Sequence, residues 1–382
     1  MAKNLSLGVA VALVAGVAVG SAGTNVMPVF IDDFASRAGL AGAGAGLIGA
    51  AQLTATAVVT LLLAARAARP GRVAMARFGL ALTAFGALWV GVAADPVTLL
   101  LTNLVLGAGL GVVYAAATAA LAAVEDSGKA SAVAVAGTVA IAALMIVAVP
   151  IANDWWAGAG FFLLAASCAP AWFLVARLPE SPVVTAAGTR PGKPSVVLLL
   201  GTAALWAITQ GAWAYAAIFG REHVGMDTTT VSVVLAVSSV VALAGAVVGA
   251  PAARRFGRLR SMAAFVVVEA VAMAVAVISD EPVLFTVAVV VWQACQLAVL
   301  VQMIAAAAVL DPSGRLVAAL SGASALGTGA GPLVVGLLLD NAGAAVLGAV
   351  FAMGMVIVSV PLLRMTTAAA EVPVVADAVS SP

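Results

Sequence analysis

The sequence predicts an all-α polytopic membrane protein with 12 transmembrane helices in two parallel six-helix repeats. Its composition supports this class, since 64% of residues are hydrophobic, 9% are charged and the mean hydropathy is +1.20. Soluble domains are about 45–50% apolar and about 25% charged. A basic turn containing Arg69, Gly71 and Arg72 also recurs 186 positions later as the turn 255–258.

The same offset aligns three further loops without gaps. Asp95-Pro96 aligns with Glu281-Pro282, segment 125–129 with 311–315, and Asp154 with Asp340. Four loops in one register indicate two tandem structural repeats.

Twelve apolar runs are long enough to cross a membrane, since a spanning helix needs about 20 residues. They define an N-terminal bundle (1–176), a Pro- and Gly-containing linker (177–195), a C-terminal bundle (196–365) and a tail (366–382) expected to be disordered. The runs are 7–31, 42–65, 73–94, 97–123, 130–152, 156–176, 196–219, 229–252, 261–279, 283–309, 316–339 and 344–363.

The distribution of cations predicts the topology. With both termini cytoplasmic, only Arg37 and Arg221 of the 17 Lys and Arg residues fall outside, which is a strong positive-inside bias. We expect a multi-pass protein of a bacterial cytoplasmic membrane.

 We also expect a monomer whose partners are the lipid bilayer and a small-molecule solute.

Net charge is +1, which gives no indication of a nucleic-acid partner. Cys168 and Cys295 are the only cysteines, and they lie in apolar runs of different repeats. We therefore expect buried free thiols, with no metal site and no cofactor.

The basic turns resemble the cytoplasmic signature G-x-x-x-D-R-x-G-R-R/K of the major facilitator superfamily of secondary transporters. In the second copy Arg255, Gly257 and Arg258 match, with Ala250 and Arg254 at the first Gly and acidic positions. The resemblance covers residues 5–364 and implies twelve spans, alternating access and a gating role for both turns.

The first copy keeps Arg69, Gly71 and Arg72 but has Ala64 and Ala68 at the Gly and acidic positions. Since the family's acidic residue helps to hold the cytoplasmic gate closed, its absence from both copies argues against that particular contact. The family's fourth-span R-x-x-x-G has Asn103 in place of the Arg, and the antiporter run G-x-x-x-G-P is absent from span five.

By the same resemblance, spans one, four, seven and ten line a central cavity. Polar and aromatic residues on single helical faces of these spans are the substrate-binding candidates. Amides within spans also commonly join neighbouring helices, so packing is the alternative for each. The candidates are Asn25, Asn103, Tyr114, Trp206, Gln210, Trp213, Trp292, Gln293 and Gln296.

Three acidic residues are candidates for coupling transport to an ion. Glu269 lies well inside span nine, where an ionised side chain costs roughly 2.5–3.5 kcal/mol. It is either functional or neutralised by pairing with Arg260 or by reaching the interface. Asp32 and Asp33 end span one and are either coupling residues or a solvated outer rim.

The predicted function is secondary active transport of a small neutral or cationic, partly apolar solute. No cation lies on the candidate cavity faces, so a strongly anionic substrate is disfavoured. The coupling ion, a proton or sodium, stays open, and a proton-coupled multidrug or metabolite efflux antiporter is the alternative. A non-transporting receptor or an intramembrane enzyme is less favoured, because large loops and a cluster of catalytic residues are both absent from the sequence.

Overall fold

The structure is a computed structural model that describes residues 5–181, 195–311 and 314–371, and within these ranges the regular secondary structure is helical apart from one isolated bridge residue. Ten helical segments of the described chain are long and apolar enough to cross a membrane. The chain is therefore a multi-pass helical membrane protein. The helices are α1 Leu7–Gly20, α2 Ala22–Asn25, α3 Met27–Ala38, α4 Gly42–Ala67, α5 Arg72–Val92, α6 Pro96–Leu121, α7 Ser127–Trp155, α8 Ala159–Leu174, α9 Val196–Ile218, α10 Thr228–Phe256, α11 Arg258–Ile278, α12 Pro282–Leu310, α13 Arg315–Ala349 and α14 Met355–Glu371.

The first predicted span is broken into three consecutive helices, α1 to α3. Pro28 explains the second break, because it has no N–H to donate to the carbonyl one turn earlier. The amide of Val29 donates instead to the carbonyl of Val26 at 3.2 Å. The third helix also continues to Ala38, beyond the predicted end of the apolar run at residue 31.

The last two predicted spans run together as one helical stretch. The backbone leaves helical geometry within α13 only at Gly343, at φ 76° and ψ 174°, values that favour glycine. A π-helical segment, Val350–Gly354, then leads into α14. Because α14 reaches Glu371, the helix continues six residues past the predicted end of the bundle, and the remainder of the predicted tail lies outside the described residues.

Successive turns between the spanning helices lie at opposite ends of the bundle. The turns before α5 and α11 carry the arginine clusters and define the basic end. The turns before α4 and α6, together with the segment between α9 and α10, define the acidic end. Cations Lys3, Arg190 and Lys193 of the topology prediction lie outside the described residues.

The two predicted bundles pack internally in corresponding ways. Helix α6 packs against α4 and α5, and α12 packs against α10 and α11. Between the bundles, α4 packs against α13 and α7 packs against α10. At the first of these interfaces a Cβ on Gly46 would clash with the Tyr215 hydroxyl and the Pro332 carbonyl, so glycine permits the close approach.

Candidate functional site

A cavity of about 310 Å³ lies between the two bundles, near the middle of the membrane-spanning helices. Its wall includes residues of α1, α2, α6 and α7 from the N-terminal bundle and of α9, α10 and α12 from the C-terminal bundle. Seven of the nine sequence candidates line it: Asn25, Tyr114, Trp206, Gln210, Trp213, Gln293 and Gln296. No charged residue is among the lining residues.

The break in the first span shapes the cavity wall on the N-terminal side. Ser21 lies between α1 and α2, and its hydroxyl donates to the Val17 carbonyl at 2.7 Å. The Asn25 amide then donates to the Ser21 hydroxyl at 3.0 Å. These bonds hold two polar side chains at the cavity without a charge.

Trp213 closes the cavity towards the acidic end. Its indole N–H donates to the backbone carbonyl of Asn25 at 3.3 Å, which joins the two bundles. Its ring meets that of Trp292 edge to face, with ring centroids 6.3 Å apart. The Trp213 indole therefore lines the cavity and also links the two bundles at its acidic end.

Two sequence candidates lie away from the cavity. Asn103 is fully buried, and its amide donates to the Leu99 carbonyl at 2.8 Å on its own helix. Trp292 is 1% exposed and lies behind Trp213. Asn103 lies on the same face of α6 as the lining residue Tyr114 but about 16 Å further along the helix, and Trp292 contacts Trp213 without reaching the lining.

Three lining residues with hydroxyl groups are not among the sequence candidates: Ser21, Thr138 of α7 and Ser239 of α10. The Thr138 hydroxyl has no hydrogen-bond partner among the described residues, as is true of the Gln293 amide nitrogen. Thr138 is an isolated polar residue in an Ala- and Val-rich run, which was the available signal. The resemblance implies that spans one, four, seven and ten line the cavity, and α7 and α10 are not among these spans.

Contacts between the bundles seal the acidic end. Asp340 at the end of the spanning part of α13 accepts from the backbone amides of Gly42 at 3.0 Å and Ala43 at 2.7 Å. The Tyr215 hydroxyl donates to the Gly42 carbonyl at 2.5 Å. Arg221 pairs with Asp32 at 2.8 Å. With the Trp213 bond, these contacts close the end of the cavity nearest the acidic turns.

Asp32 and Asp33 form ion pairs, so the interpretation of a merely solvated rim is wrong. Asp33 is 5% exposed, pairs with Arg37 at 2.9 Å and accepts from the Asn153 amide at 3.1 Å. Asp32 joins the bundles through Arg221. Both carboxylates therefore have structural partners at the acidic end.

Glu269 lies in the middle of α11 and is 1% exposed. Neither carboxyl oxygen has a hydrogen-bond partner among the described residues. Pairing with Arg260 and extension to the interface, the two neutralising explanations given by the sequence, are both wrong. Cys295 of α12 lies within electrostatic range of this carboxyl group, and both cysteines are buried and free.

The first basic turn is built around Arg72, which is fully buried. Its guanidinium donates to the carbonyls of Ala67 at 2.6 Å and of Pro179 and Ser181 at 2.8 Å. Glu180 accepts in return from the backbone amides of residues 71–73, at 3.1 Å from Arg72 and 2.7 Å from Val73. A carboxylate from the start of the linker thus occupies the N-terminus of α5.

Glu180 supplies an acidic group to a turn whose signature lacks one at Ala68. Burial by itself would raise the pKa of the Glu180 carboxyl, but the backbone hydrogen bonds from residues 71–73 and the charge of Arg72 outweigh burial and lower the pKa. Arg69, by contrast, is exposed. Arg72 therefore holds the turn together from within, whereas Arg69 is on the surface.

The second basic turn is more open. Arg255 is exposed and lies over the ring of Phe256, with its guanidinium carbon 5.5 Å from the ring centroid. Gly257 has a positive φ of 84°, which starts α11. One guanidinium nitrogen of the half-buried Arg258 has no hydrogen-bond partner among the described residues. The repeats therefore share sequence at this turn but differ in its contacts.

Comparison with known proteins gives no matching family model and no matching curated relative. Solved structures do match over nearly the whole chain. A bacterial homologue of the human lysosomal transporter Spinster, inward-facing and unoccupied, is 16% identical with a TM-score of 0.68, covering 95% of both chains.

Two further transporters show the same fold. A POT family transporter in complex with 5-aminolevulinic acid is 12% identical with a TM-score of 0.75, covering 95% of this chain and 96% of that chain. The nucleoside transporter NupG, as its D323A mutant, is 13% identical with a TM-score of 0.71, covering 95% of this chain and all of the other. The chain has the same helical fold as these three transporters.

Proposed function

We propose that this chain is a secondary active transporter that moves a small neutral or cationic, partly apolar solute by alternating access. The observation that carries the proposal is the central cavity, which is walled by both bundles and sealed at the acidic end. Relative movement of two bundles around such a cavity would expose it to each side of the membrane in turn.

The helix arrangement supports a count of twelve spans in two repeats. Helices α1 to α3 form one interrupted span, and Gly343 divides α13 from a final span that includes α14. With the other nine helices as one span each, the total is the twelve that the sequence predicts. The matching packing of α4, α5 and α6 with that of α10, α11 and α12 supports the repeat.

The orientation follows from the charges. The basic end faces the cytoplasm under the positive-inside rule, with both termini on that side of a bacterial cytoplasmic membrane. The acidic end, held closed by Asp340, Tyr215 and Arg221, then faces outward. In this conformation the cavity belongs to the inward side.

The cavity wall favours solutes with limited negative charge. A buried anion would require a cation or a helix N-terminus to offset its desolvation, and the lining residues include no Arg or Lys. Trp206, Trp213 and Tyr114 provide aromatic faces that attract apolar groups and cations. The amides of Gln210 and Gln296 can donate and accept hydrogen bonds.

Uptake and efflux of a broad metabolite and drug panel by reconstituted vesicles tests the proposal. Proton and sodium gradients are imposed separately, in both directions. For a transported solute we expect Gln210→Ala and Trp213→Ala each to reduce transport about tenfold, since losing one buried hydrogen bond or contact costs about 1–3 kcal/mol. Trp155→Ala removes an exposed tryptophan and is the matched control.

Transport confined to multivalent anions, or unaffected by both cavity substitutions, would contradict the assignment of the site. Failure of the wild-type protein to move any member of the panel under either gradient would count against the transport function. Efflux that is driven only by an inward proton gradient would identify the proton-coupled antiporter alternative.

A further inference from the structure

Glu269 differs from the other two acidic residues that are candidates for coupling. Asp32 and Asp33 each pair with an arginine at the acidic end. Glu269 instead lies at the middle of the 21-residue helix α11, 1% exposed, and neither carboxyl oxygen has a hydrogen-bond partner among the described residues. The proposed transport cycle around the cavity does not by itself use this group.

A buried carboxylate without a partner is costly in this position. Insertion scales give roughly 2.5–3.5 kcal/mol for an ionised side chain at the bilayer centre. Binding a proton removes the charge and most of that cost. The packing seen around Glu269 is therefore suited to the neutral carboxyl group.

The helices packed against α11 bring few charges near Glu269. They are α10, α12, α13 and α14, together with the π-helical segments 219–223 and 350–354. Cys295 of α12 is the titratable group within electrostatic range. No ion pair reaches Glu269 in the described part of the chain. The arginines on these elements are Arg221, Arg254, Arg255, Arg315 and Arg364, and all except Arg364 lie at or near an end of their element.

Helix α12 lies between Glu269 and the cavity. Gln293 and Gln296 line the cavity from this helix, whereas Cys295 lies near Glu269. A change in the packing of α11 against α12 would therefore alter the carboxyl environment and the cavity wall together. This arrangement provides a physical connection between protonation and solute binding.

We propose that Glu269 is the proton-binding site that couples this transporter to a proton gradient. The inference rests on the proposed transport function. In the state seen here the carboxylate takes one proton from water to form the neutral acid. It returns the proton to water in a state that hydrates the group, so protonation favours the conformation closed at the acidic end.

A proton fits this site better than a metal cation. Hard cations such as Ca²⁺ or Mg²⁺ require about six oxygen ligands. Among the described residues, no group of three or more His, Cys, Asp or Glu side chains could hold a metal ion. One carboxyl group beside one thiol is sufficient for a proton.

Labelling with the apolar reagent N,N′-dicyclohexylcarbodiimide tests the site without a known solute. The reagent modifies protonated carboxyl groups in apolar surroundings, and mass spectrometry of the full-length protein in vesicles locates the adducts. We expect labelling of Glu269 to exceed that of the ion-paired Asp33 about tenfold and to fall as the pH rises from about 5 to about 9. Absent labelling, or labelling that stays constant across this range, would overturn the proposal.

Glu269→Gln, which mimics the protonated form, tests the coupling. Once the panel has identified a solute, we expect this variant to retain solute exchange and to lose accumulation driven by a proton gradient. Asp280→Asn, an exposed acid just beyond the same helix, is the control and should behave as wild type. Gradient-driven accumulation by Glu269→Gln at the wild-type level would overturn the inference while leaving the transport function intact. If no solute is transported at all, the transport function fails, and the carbodiimide result separately reports whether Glu269 binds a proton.

Discussion

Glu180 and Arg72 join the start of the linker to the turn between α4 and α5. The carboxylate accepts from three backbone amides at the N-terminus of α5, where the helix dipole also favours negative charge. Arg72 donates to the carbonyls of Pro179 and Ser181. The interaction fixes where the linker leaves the N-terminal bundle.

We expect Glu180→Gln to lower the midpoint of thermal unfolding, because it removes a capping charge, and Glu180→Ala to lower it further. Losing a helix N-cap costs about 1 kcal/mol. The pKa of Glu180 in the folded protein is lowered. Its ionic stabilisation is therefore present above the unfolded-state pKa of about 4.3 and is lost as the pH falls through the folded-state pKa.

The difference in unfolding midpoint between wild type and Glu180→Gln should accordingly shrink as the pH falls below about 4. Glu125→Gln, which alters an exposed carboxylate, is the control. An equal difference at neutral and acidic pH would show that the charge of Glu180 does not stabilise the turn.

At the residue level, the sequence predicted which faces carry polar groups better than it predicted their contacts. Asn25, Gln210 and Gln296 line the cavity, whereas Asn103 bonds to its own helix. Helical periodicity defines a face, but it does not show how far along that face the cavity extends. Glu180 was missed because its partners lie about 107 residues away in sequence.

Helix α4 depends on the opposite bundle for its N-terminal cap. The residue before it is Ala41, which has no side-chain acceptor, and the Asp340 carboxylate accepts from the first two amides instead. Helix α10 occupies the corresponding place in the second repeat. Its own Asp227 accepts from the Thr230 amide at 2.9 Å.

This difference predicts that Asp340 stabilises the closed acidic end. Asp340→Ala should shift the equilibrium towards an open acidic end by at least about tenfold, because it removes two hydrogen bonds to a charged group and each contributes about 1.5–3 kcal/mol. Spin labels at Ser36 and His223, both exposed on opposite bundles at this end, would report a longer distance. Asp154→Ala, at the corresponding position of the first repeat, is the control.

Adding Ala41→Asp to Asp340→Ala separates the two roles of the carboxylate. Ala41 has φ −65° and ψ 167°, close to the −70° and 156° of Asp227, so an aspartate there can cap α4 locally. We expect the double variant to recover helix stability while keeping the longer spin-label distance. Recovery of the short distance would show that Asp340 acts only as a helix cap.

At the level of helices, apolar run length predicted most boundaries to within a few residues. It did not predict the interruption of the first span at Ser21 and Val26. It also placed a clear gap at 340–343, where the structure has one continuous helical stretch with a kink at Gly343. Composition measures how well a segment suits the bilayer, whereas these details depend on local backbone hydrogen bonds.

For the whole molecule, the repeat offset and the charge distribution predicted the fold and its two distinct ends. The neighbouring transporter structures confirm a helical transporter fold, whereas the count of twelve spans in two repeats stays a prediction. The bonds that seal the acidic end were not predictable, because Tyr215, Trp213 and Arg221 contact residues of the other bundle. A single sequence gives no direct information on such pairings.

Access to the cavity from each side of the membrane is the most direct test of alternating access. Ser239→Cys places one thiol in the cavity wall in a background of Cys168→Ala and Cys295→Ala. A membrane-impermeant maleimide is then applied to either face of sealed, oriented vesicles, with and without Asp340→Ala. We predict modification from both faces, faster from the basic end in the parent and shifted about tenfold towards the acidic end by Asp340→Ala. Modification from one face only, in both proteins, would contradict alternating access.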